Sequence, residues 1–455
     1  MFAKINFHDE FYQKLKLLVL PITMQQFMLA LVSATDAIML GAVSQTSLSA
    51  VSLAGQIQFV LNLFISGISA GSGIMAAQYW GKKDAASIEE VMPIALRTNL
   101  IFSGAFTVFA AVAPEVLMRI FTSDPALIES GAVYLRAVSL SYLLCGISQI
   151  YLILLKNTGY ATVSSRISCT AVVVNIICNA ILIYGLLGLP ALGIQGAAYA
   201  TVAARLVELI WSYLETKQSG RVQIIWKKMF RAADAVLTKD FWRYTTPVLG
   251  AALVWGIAYV SYSVIMGHMG SDAVAANSIT TIAKNMLSCL IRGVSGGAGV
   301  LIGNLLGAGE LDKAKVYGGR LTRMAIVVGM TTGGLLMLIS PLIVRFAPLS
   351  ETAAEYLQYM VIFCGLNLMA QSVNTTVLDG IFCAGGDAKF DMQGNIGAMW
   401  CFSVPFGFFA AFVLKWPVMV VYCIVNLDEI VKIPAVYLHY KKYIWVRNIT
   451  VQEEA

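Results

Sequence analysis

LKLLVLPITMQQFMLALVSATDAIMLG, running from Leu15 to Gly41, decides the fold class of this chain. It is apolar almost throughout, and a helix crosses a bilayer with about 20 such residues. The run is far longer than the 7–15 apolar residues, roughly, of a cleaved leader, so a spanning helix is expected. Its acid, Asp36, sits deep in the run. A carboxylate at mid-helix costs about 2.5–3.5 kcal/mol on insertion scales and therefore faces protein or a wet cavity.

Outward from this run the pattern repeats. Further apolar stretches cover 48–77, 92–118, 132–155, 163–187, 193–216, 244–268, 273–305, 318–344, 354–384, 392–414 and 417–440. All are continuous rather than alternating and too long for barrel strands of about 9–11 residues. The expected fold is all-α and polytopic, with about twelve transmembrane helices. Composition agrees: 58% of the 455 residues are hydrophobic and 12% charged, against roughly 25% charged in soluble domains.

The net charge of +6 does not point to nucleic acid, because its distribution is that of a membrane topology signal. With both termini in the cytoplasm, the outer loops hold three basic residues, Arg119, Arg345 and Lys415, of 31 in the chain. Cytoplasmic excess of Lys and Arg is the expected bias. The loop carrying Lys217, Arg221, Lys227, Lys228, Arg231, Lys239 and Arg243 then faces the cytoplasm. Anionic lipid could also meet it. The expected location is the inner (plasma) membrane.

A shift of 226 positions lays Pro21 on Pro247, Gly41 on Gly267, Gly67 on Gly293, Gly71 on Gly297, Gly81 on Gly307, and Gly159 on Gly385. Small residues let membrane helices approach closely, so the glycines carry the repeat. Six spans separate each element from its copy, which makes the halves parallel repeats about an axis along the membrane normal. The expected organisation is an N-lobe over 1–218, a basic linker over 219–239 and a C-lobe over 240–455, around a central cavity. Two such halves rocking about a midplane site are a transporter architecture, an inference by analogy of fold.

The polar groups inside the spans are the candidate site. Gln25 precedes Asp36 by eleven residues, about 20° around a helix of 3.6 residues per turn, so the two share a face. Asp36 reads either as a structural acceptor or as an ion site, since a buried carboxyl trades between protonated and cation-paired forms. Asn175 and Asn179 are stacked one turn apart, and with Thr201 they offer oxygens to a hard cation; helix-bonding amides are the other reading. The repeat sets Tyr262 where Asp36 stands in the first half. Lys284 and Arg292 lie about 80° apart in the eighth span; an interhelical ion pair, with Asp379 as a possible partner, competes with a cavity-facing anion site. Arg205 and Glu208 are spaced to pair locally. The eight cysteines fall in apolar runs without CxxC or Cys/His spacing and read as small buried hydrophobes. His8, His268 and His439 are too dispersed for a site. A phosphate cradle GxxxxGK[ST] and a catalytic constellation are both missing from the sequence, so no enzyme and no cofactor is expected.

Taken together, Pro21…Asp36-Ala-Ile-Met-Leu-Gly41, Gln78-Tyr-Trp-Gly81-Lys-Lys-Asp84, Asn175-Ile-Ile-Cys-Asn179, Gly196-Ala-Ala-Tyr-Ala-Thr201 and the echoes at 275–279 and 303–307 resemble the multidrug and toxic compound extrusion (MATE) family over essentially the whole chain. The resemblance implies an antiporter that exports drugs or small organic, cationic molecules against H⁺ or Na⁺. It implies a coupling site at Asp36, Asn175, Asn179 and Thr201, with Na⁺ at Asp36, Asn175 and Asn179 as one form, and a hinge at Pro21. Gln25, Tyr262, Lys284 and Arg292 would line the substrate cavity. Two departures bear on coupling. The position of Asn179 is commonly an aspartate, which leans the site toward H⁺. Acids of the seventh and tenth spans are replaced by Trp255 and Ser372, so no ion site is expected in the C-lobe. The rival readings are a flippase for lipid-linked oligosaccharide precursors, whose pyrophosphate Lys284 and Arg292 would suit, and a non-transporting membrane scaffold. The expected partners are a small-molecule substrate and the bilayer, with no nucleic acid and no obligatory protein.

Overall fold

The computed structural model describes residues 9–229, 234–347 and 349–451; His8 and Arg231 lie outside them. The described residues are helical with short turns and contain no strand. The first repeat holds α1 (Glu10–Gly41), α2 (Gln45–Gly81), α3 (Ala85–Val112), the short α4 (Pro114–Arg119), α5 (Pro125–Asn157), α6 (Ala161–Tyr184) and α7 (Ile194–Thr216). A linker with the one-turn α8 (Trp226–Met229) follows. The second repeat holds α9 (Ala235–Gly267), α10 (Ser271–Gly307), α11 (Leu311–Phe346), α12 (Glu351–Thr375), α13 (Ala388–Asn395), α14 (Val404–Phe408), α15 (Val418–Val425) and α16 (Asp428–Tyr440).

Each of the twelve apolar stretches is helical. Among the described residues, ten helices are long and apolar enough to cross a membrane. The other two stretches depart for a local reason. The sixth, α7, carries Arg205, Glu208 and Glu215. The twelfth breaks at Asn426 and Leu427 into α15 and α16.

The repeat is realised in the backbone. α2 and α10 are both 37 residues long and end on Gly81 and Gly307. The turns beyond them match bond for bond: Asp84 N–H donates to Tyr79 O and Glu310 N–H to Leu305 O, each at 2.9 Å. The left-handed residue of each turn is Lys83 (φ 63°) and Gly309 (φ 78°). Register then slips. α5 has 33 residues, whereas its copy, begun by α12, runs from 351 to 384, one residue longer. The surplus is taken up as π-helical turns over Thr376–Phe382, the usual form of a one-residue insertion in a helix. The pairing of Gly159 with Gly385 is corrected accordingly: the copy of Gly159 (φ 89°) is Gly386 (φ 76°). Two more π segments, Ile396–Ser403 and Phe409–Val413, flank α14.

Close packing explains the other repeated glycines. A Cβ on Gly293 of α10 would meet the hydroxyl of Thr23 and come within 3.0 Å of its Cα, and one on Gly297 would meet Val19. In the other repeat a Cβ on Gly67 would come within 2.8 Å of Leu249 Cα, and one on Gly71 within 2.7 Å of Thr245 Cα. The start of each repeat's first helix thus beds into a glycine groove on the other repeat's second helix. The compact units reflect that exchange. One comprises 1–26, 81–83 and 250–455, the other 27–80 and 84–249; they part from the lobe bounds read from the sequence over 1–26, 81–83 and 219–249. In the first unit Phe11, Leu15 and Val19 join a core with Val294, Ala298, Leu301 and Leu368. In the second, Leu40, Ile57, Leu61, Leu135, Tyr142, Ile183 and Ala198 form the core.

The linker is fastened to the second unit. Trp226 Nε1 donates to the Tyr151 hydroxyl at 2.8 Å, Lys228 pairs with Glu90 at 2.6 Å, and Arg221 pairs with Glu215 while covering the ring of Tyr160. All eight cysteines are free; Cys145, Cys289, Cys364 and Cys383 are buried, but Cys401, in a π segment, is exposed. Arg205 and Glu208 pair at 3.0 Å, with Ser148 donating to Glu208 at 2.5 Å.

Candidate functional site

Three helices of the second unit converge on Asp36. Its carboxylate lies near the C-terminal end of α1, where the Tyr184 hydroxyl of α6 donates to the Met39 carbonyl at 3.0 Å and ties the two helices. α6 and α7 approach closely because Gly196 has no side chain; a Cβ there would meet the Leu182 carbonyl. That approach brings Thr201 beside Asn175.

The result is a single file of hydrogen bonds. Asn179 Nδ2 donates to Asp36 Oδ1 at 2.5 Å and to Asn175 Oδ1 at 3.1 Å. Asn175 Nδ2 donates to Thr201 Oγ1 at 3.4 Å, and Thr201 donates to the Ala197 carbonyl at 3.0 Å. Asn179 is fully buried and Asn175 nearly so, while Asp36 is half-buried. Asn179 Oδ1 is buried without a hydrogen-bond partner among the described residues. The four residues grouped by the resemblance to the MATE family are therefore in mutual contact. Chemically, the file offers one carboxylate with a single amide donor, and one spare amide oxygen next to it.

The remaining candidates fall in the first unit. Pro21 and Gln25 lie in the part of α1 that belongs to it, and both are half-buried. Tyr262 of α9 packs beside Ile265, Ala411 and Val421 and lies in electrostatic reach of Asp428 and Glu429. Lys284 donates to the amide oxygen of Asn367 at 3.2 Å, so an interhelical hydrogen bond stands where an ion pair was expected. Arg292 is exposed and acts electrostatically on Asp379, which lies in the π turns of Thr376–Phe382. Trp255 stacks on Tyr259 with centroids 5.5 Å apart, and Ser372 donates to the Ala325 carbonyl at 2.7 Å.

Sequence reasoning missed the charged residues of α13 and α16. Asp391, Asp428, Glu429 and Lys432 are each more than nine-tenths buried. Their signal was present: Asp428-Glu429-Ile-Val-Lys432 sets three charges in five residues of an apolar stretch, a costly arrangement in a membrane. The break before Asp428 hid it, because the stretch read as one continuous span.

Comparison with known proteins bears on this geometry directly. A family model described as MatE matches residues 21–181 and 247–409. This chain belongs to the MATE family. The two matched segments open on Pro21 and Pro247, the prolines paired by the internal repeat. Among relatives, the uncharacterized transporter YisQ of Bacillus subtilis is 22% identical over 91% of this chain and 90% of its own length. The probable multidrug resistance protein NorM of Agrobacterium fabrum is 24% identical over 84% of this chain and 82% of its own. A solved outward-facing multidrug resistance MATE family transporter shares the fold, with a TM-score of 0.83 at 18% identity over 94% of this chain and 96% of that one. MATE proteins are membrane transporters rather than enzymes, and the repeated helical architecture is that of the family.

Proposed function

We propose that this MATE transporter exports small organic, predominantly cationic molecules from the cell in exchange for H⁺ entering through Asp36. The observation that carries the reading is the file from Asp36 through Asn179 and Asn175 to Thr201. It joins the only acid of α1's C-terminal half to neutral amides and a hydroxyl, within one compact unit. The proposed location is the plasma membrane with both termini cytoplasmic, and Pro21 is the proposed hinge of α1.

H⁺ is favoured over Na⁺ by the donor set. Na⁺ needs several oxygens turned toward it, whereas Asn179 presents its NH₂ to Asp36 and Asn175 spends its oxygen on Asn179. A proton needs one carboxylate. Ion and substrate must favour different states, because only differential affinity moves a conformational equilibrium.

The experiment is dye efflux from proteoliposomes under an imposed H⁺ or Na⁺ gradient. The expected result is efflux driven by the H⁺ gradient in the wild type and no gradient response in Asp36→Asn. Equal gradient-driven efflux in the two proteins would refute coupling through Asp36. The flippase reading is less well supported, because Lys284 bonds Asn367 and neighbours Asp428 and Glu429, surroundings unsuited to a pyrophosphate.

A further inference from the structure

A second polar cluster lies wholly within the first unit and takes no part in the Asp36 file. Its centre is α16. The Lys432 ammonium donates to Glu429 Oε1 and to Asn395 Oδ1, each at 3.1 Å, and Asn395 donates to Asp391 Oδ1 at 3.2 Å. From α12, Asn374 donates to Glu429 at 2.6 Å to the carbonyl and 2.8 Å to Oε2.

The elements packed around α16 add further charge. α10 supplies Lys284 and Arg292, the π turns supply Asp379 with Cys383 beside it, and α16 itself adds Asp428. Tyr262 of α9 lies in electrostatic reach of Asp428 and Glu429, and Cys364 of α12, near Lys284, and Tyr422 of α15 are further neighbours. Asp387 stands apart in its own pair with His439 at 2.6 Å.

The charges do not balance. Away from the accessible surface, Asp391, Asp428 and Glu429 face Lys284 and Lys432, so full ionisation leaves one negative charge in excess, while the exposed Asp379 is offset by the exposed Arg292. An uncompensated charge withdrawn from water costs several kcal/mol, roughly, and is relieved by neutralisation. Both Glu429 oxygens already accept hydrogen bonds, which leaves the aspartates to carry the compensating proton. Asn374 Oδ1, on a side chain 1% exposed and bonded into the cluster, has no partner among the described residues. It is a spare acceptor for a carboxyl O–H. A metal ion fits poorly: the Lys432 ammonium already stands among the acceptors a cation would use, and the described residues hold no metal-binding group of three or more His, Cys, Asp or Glu.

We propose that this cluster is a second proton site, holding one exchangeable proton shared between Asp391 and Asp428. Asp379 and Arg292 are its exposed members and give the proton its route to the accessible surface. The position is the repeat's own: Tyr262 stands where Asp36 stands in the first repeat, and the missing acid is carried instead on the last helix.

The test counts protonated carboxyls, by their infrared C=O band, in the purified full-length protein in liposomes at pH 7. Surface carboxyls, with pKa values of about 4, are ionised there. In an Asp36→Asn background one band is expected, shifting in heavy water as an exchangeable proton does. Asp391→Asn or Asp428→Asn each removes the excess charge, so each should abolish the band. Lys432→Met raises the excess to two and should double it. No band in the Asp36→Asn protein, a band that ignores heavy water, or a band unchanged in all three further variants would overturn the site. Lys432→Met moves the count upward, so misfolding cannot imitate the result, and the readout needs no transport, so it stands apart from the efflux experiment.

Discussion

Asn179 gives Asp36 its amide hydrogen and keeps an unpartnered oxygen of its own, and this one side chain sets the character of the coupling site. Replacing it with aspartate adds a second acid at hydrogen-bond distance from the first. Two adjacent carboxylates repel and favour a bound cation or a shared proton. The expected outcome for Asn179→Asp is efflux that a Na⁺ gradient drives more strongly than in the wild type, read in the proteoliposome assay; unchanged ion preference would show that the amide is not the discriminating group. Thr201→Val tests the far end of the file. It removes the hydroxyl that accepts from Asn175 and leaves Asp36 in place, so a slower but still gradient-driven efflux is expected. How legible was the site? Asp36, Asn175, Asn179 and Thr201 were readable because intramembrane polar residues are few and the helical period aligned the two amides. The direction of each hydrogen bond was not readable, since an amide offers a donor and an acceptor from the same spacing.

Pairs of helices meet at glycines that pattern alone could mark but not assign. Gly67 and Gly293 recur at the repeat spacing, yet which neighbour they admit, Leu249 and Thr23 respectively, depends on the exchange of first helices between units. Gly67→Val is expected to destabilise by about 1–3 kcal/mol through overpacking, seen as a lower melting temperature in detergent, because the opposing atoms include backbone. The Arg205–Glu208 pair of α7 is a second element-scale feature. Arg205→Met leaves Glu208 buried with Ser148 but without its cation, and a loss of about 3–5 kcal/mol is expected for such a broken pair. The same melting measurement checks it, and an unchanged melt would show the pair to be dispensable. The π turns at Thr376–Phe382 belong to this scale too. One surplus residue in an apolar helix leaves no mark on hydropathy; its trace is the one-residue slip from Gly385 to Gly386.

At the level of the molecule, each compact unit draws helices from both repeats: 1–26 packs with the second half and 235–249 with the first. Neither repeat therefore completes its own glycine grooves. A chain cut at Gly220, which has φ 83° and open space around its Cβ position, tests this. Each half expressed alone is expected to be degraded or to aggregate, and the two co-expressed should co-purify through a tag on one of them. A half that is stable and monodisperse alone would mean that the exchanged helices contribute little.

Length, hydropathy and spacing by themselves determined that this chain is a helical membrane protein of two parallel repeats with a lone acid in its first apolar run. These properties are set by solvent and by period: a bilayer selects long apolar helices, and a 226-residue recurrence of glycines survives in any list of letters. Tertiary structure alone decided which repeat's groove receives each first helix, where the surplus residue is absorbed, and that Asp379, Asp391, Asp428, Glu429 and Lys432 form one cluster with Lys284 and Arg292. Those facts rest on contacts between residues far apart in the chain. A charge's cost depends on the partners that folding brings to it, and no local pattern encodes them.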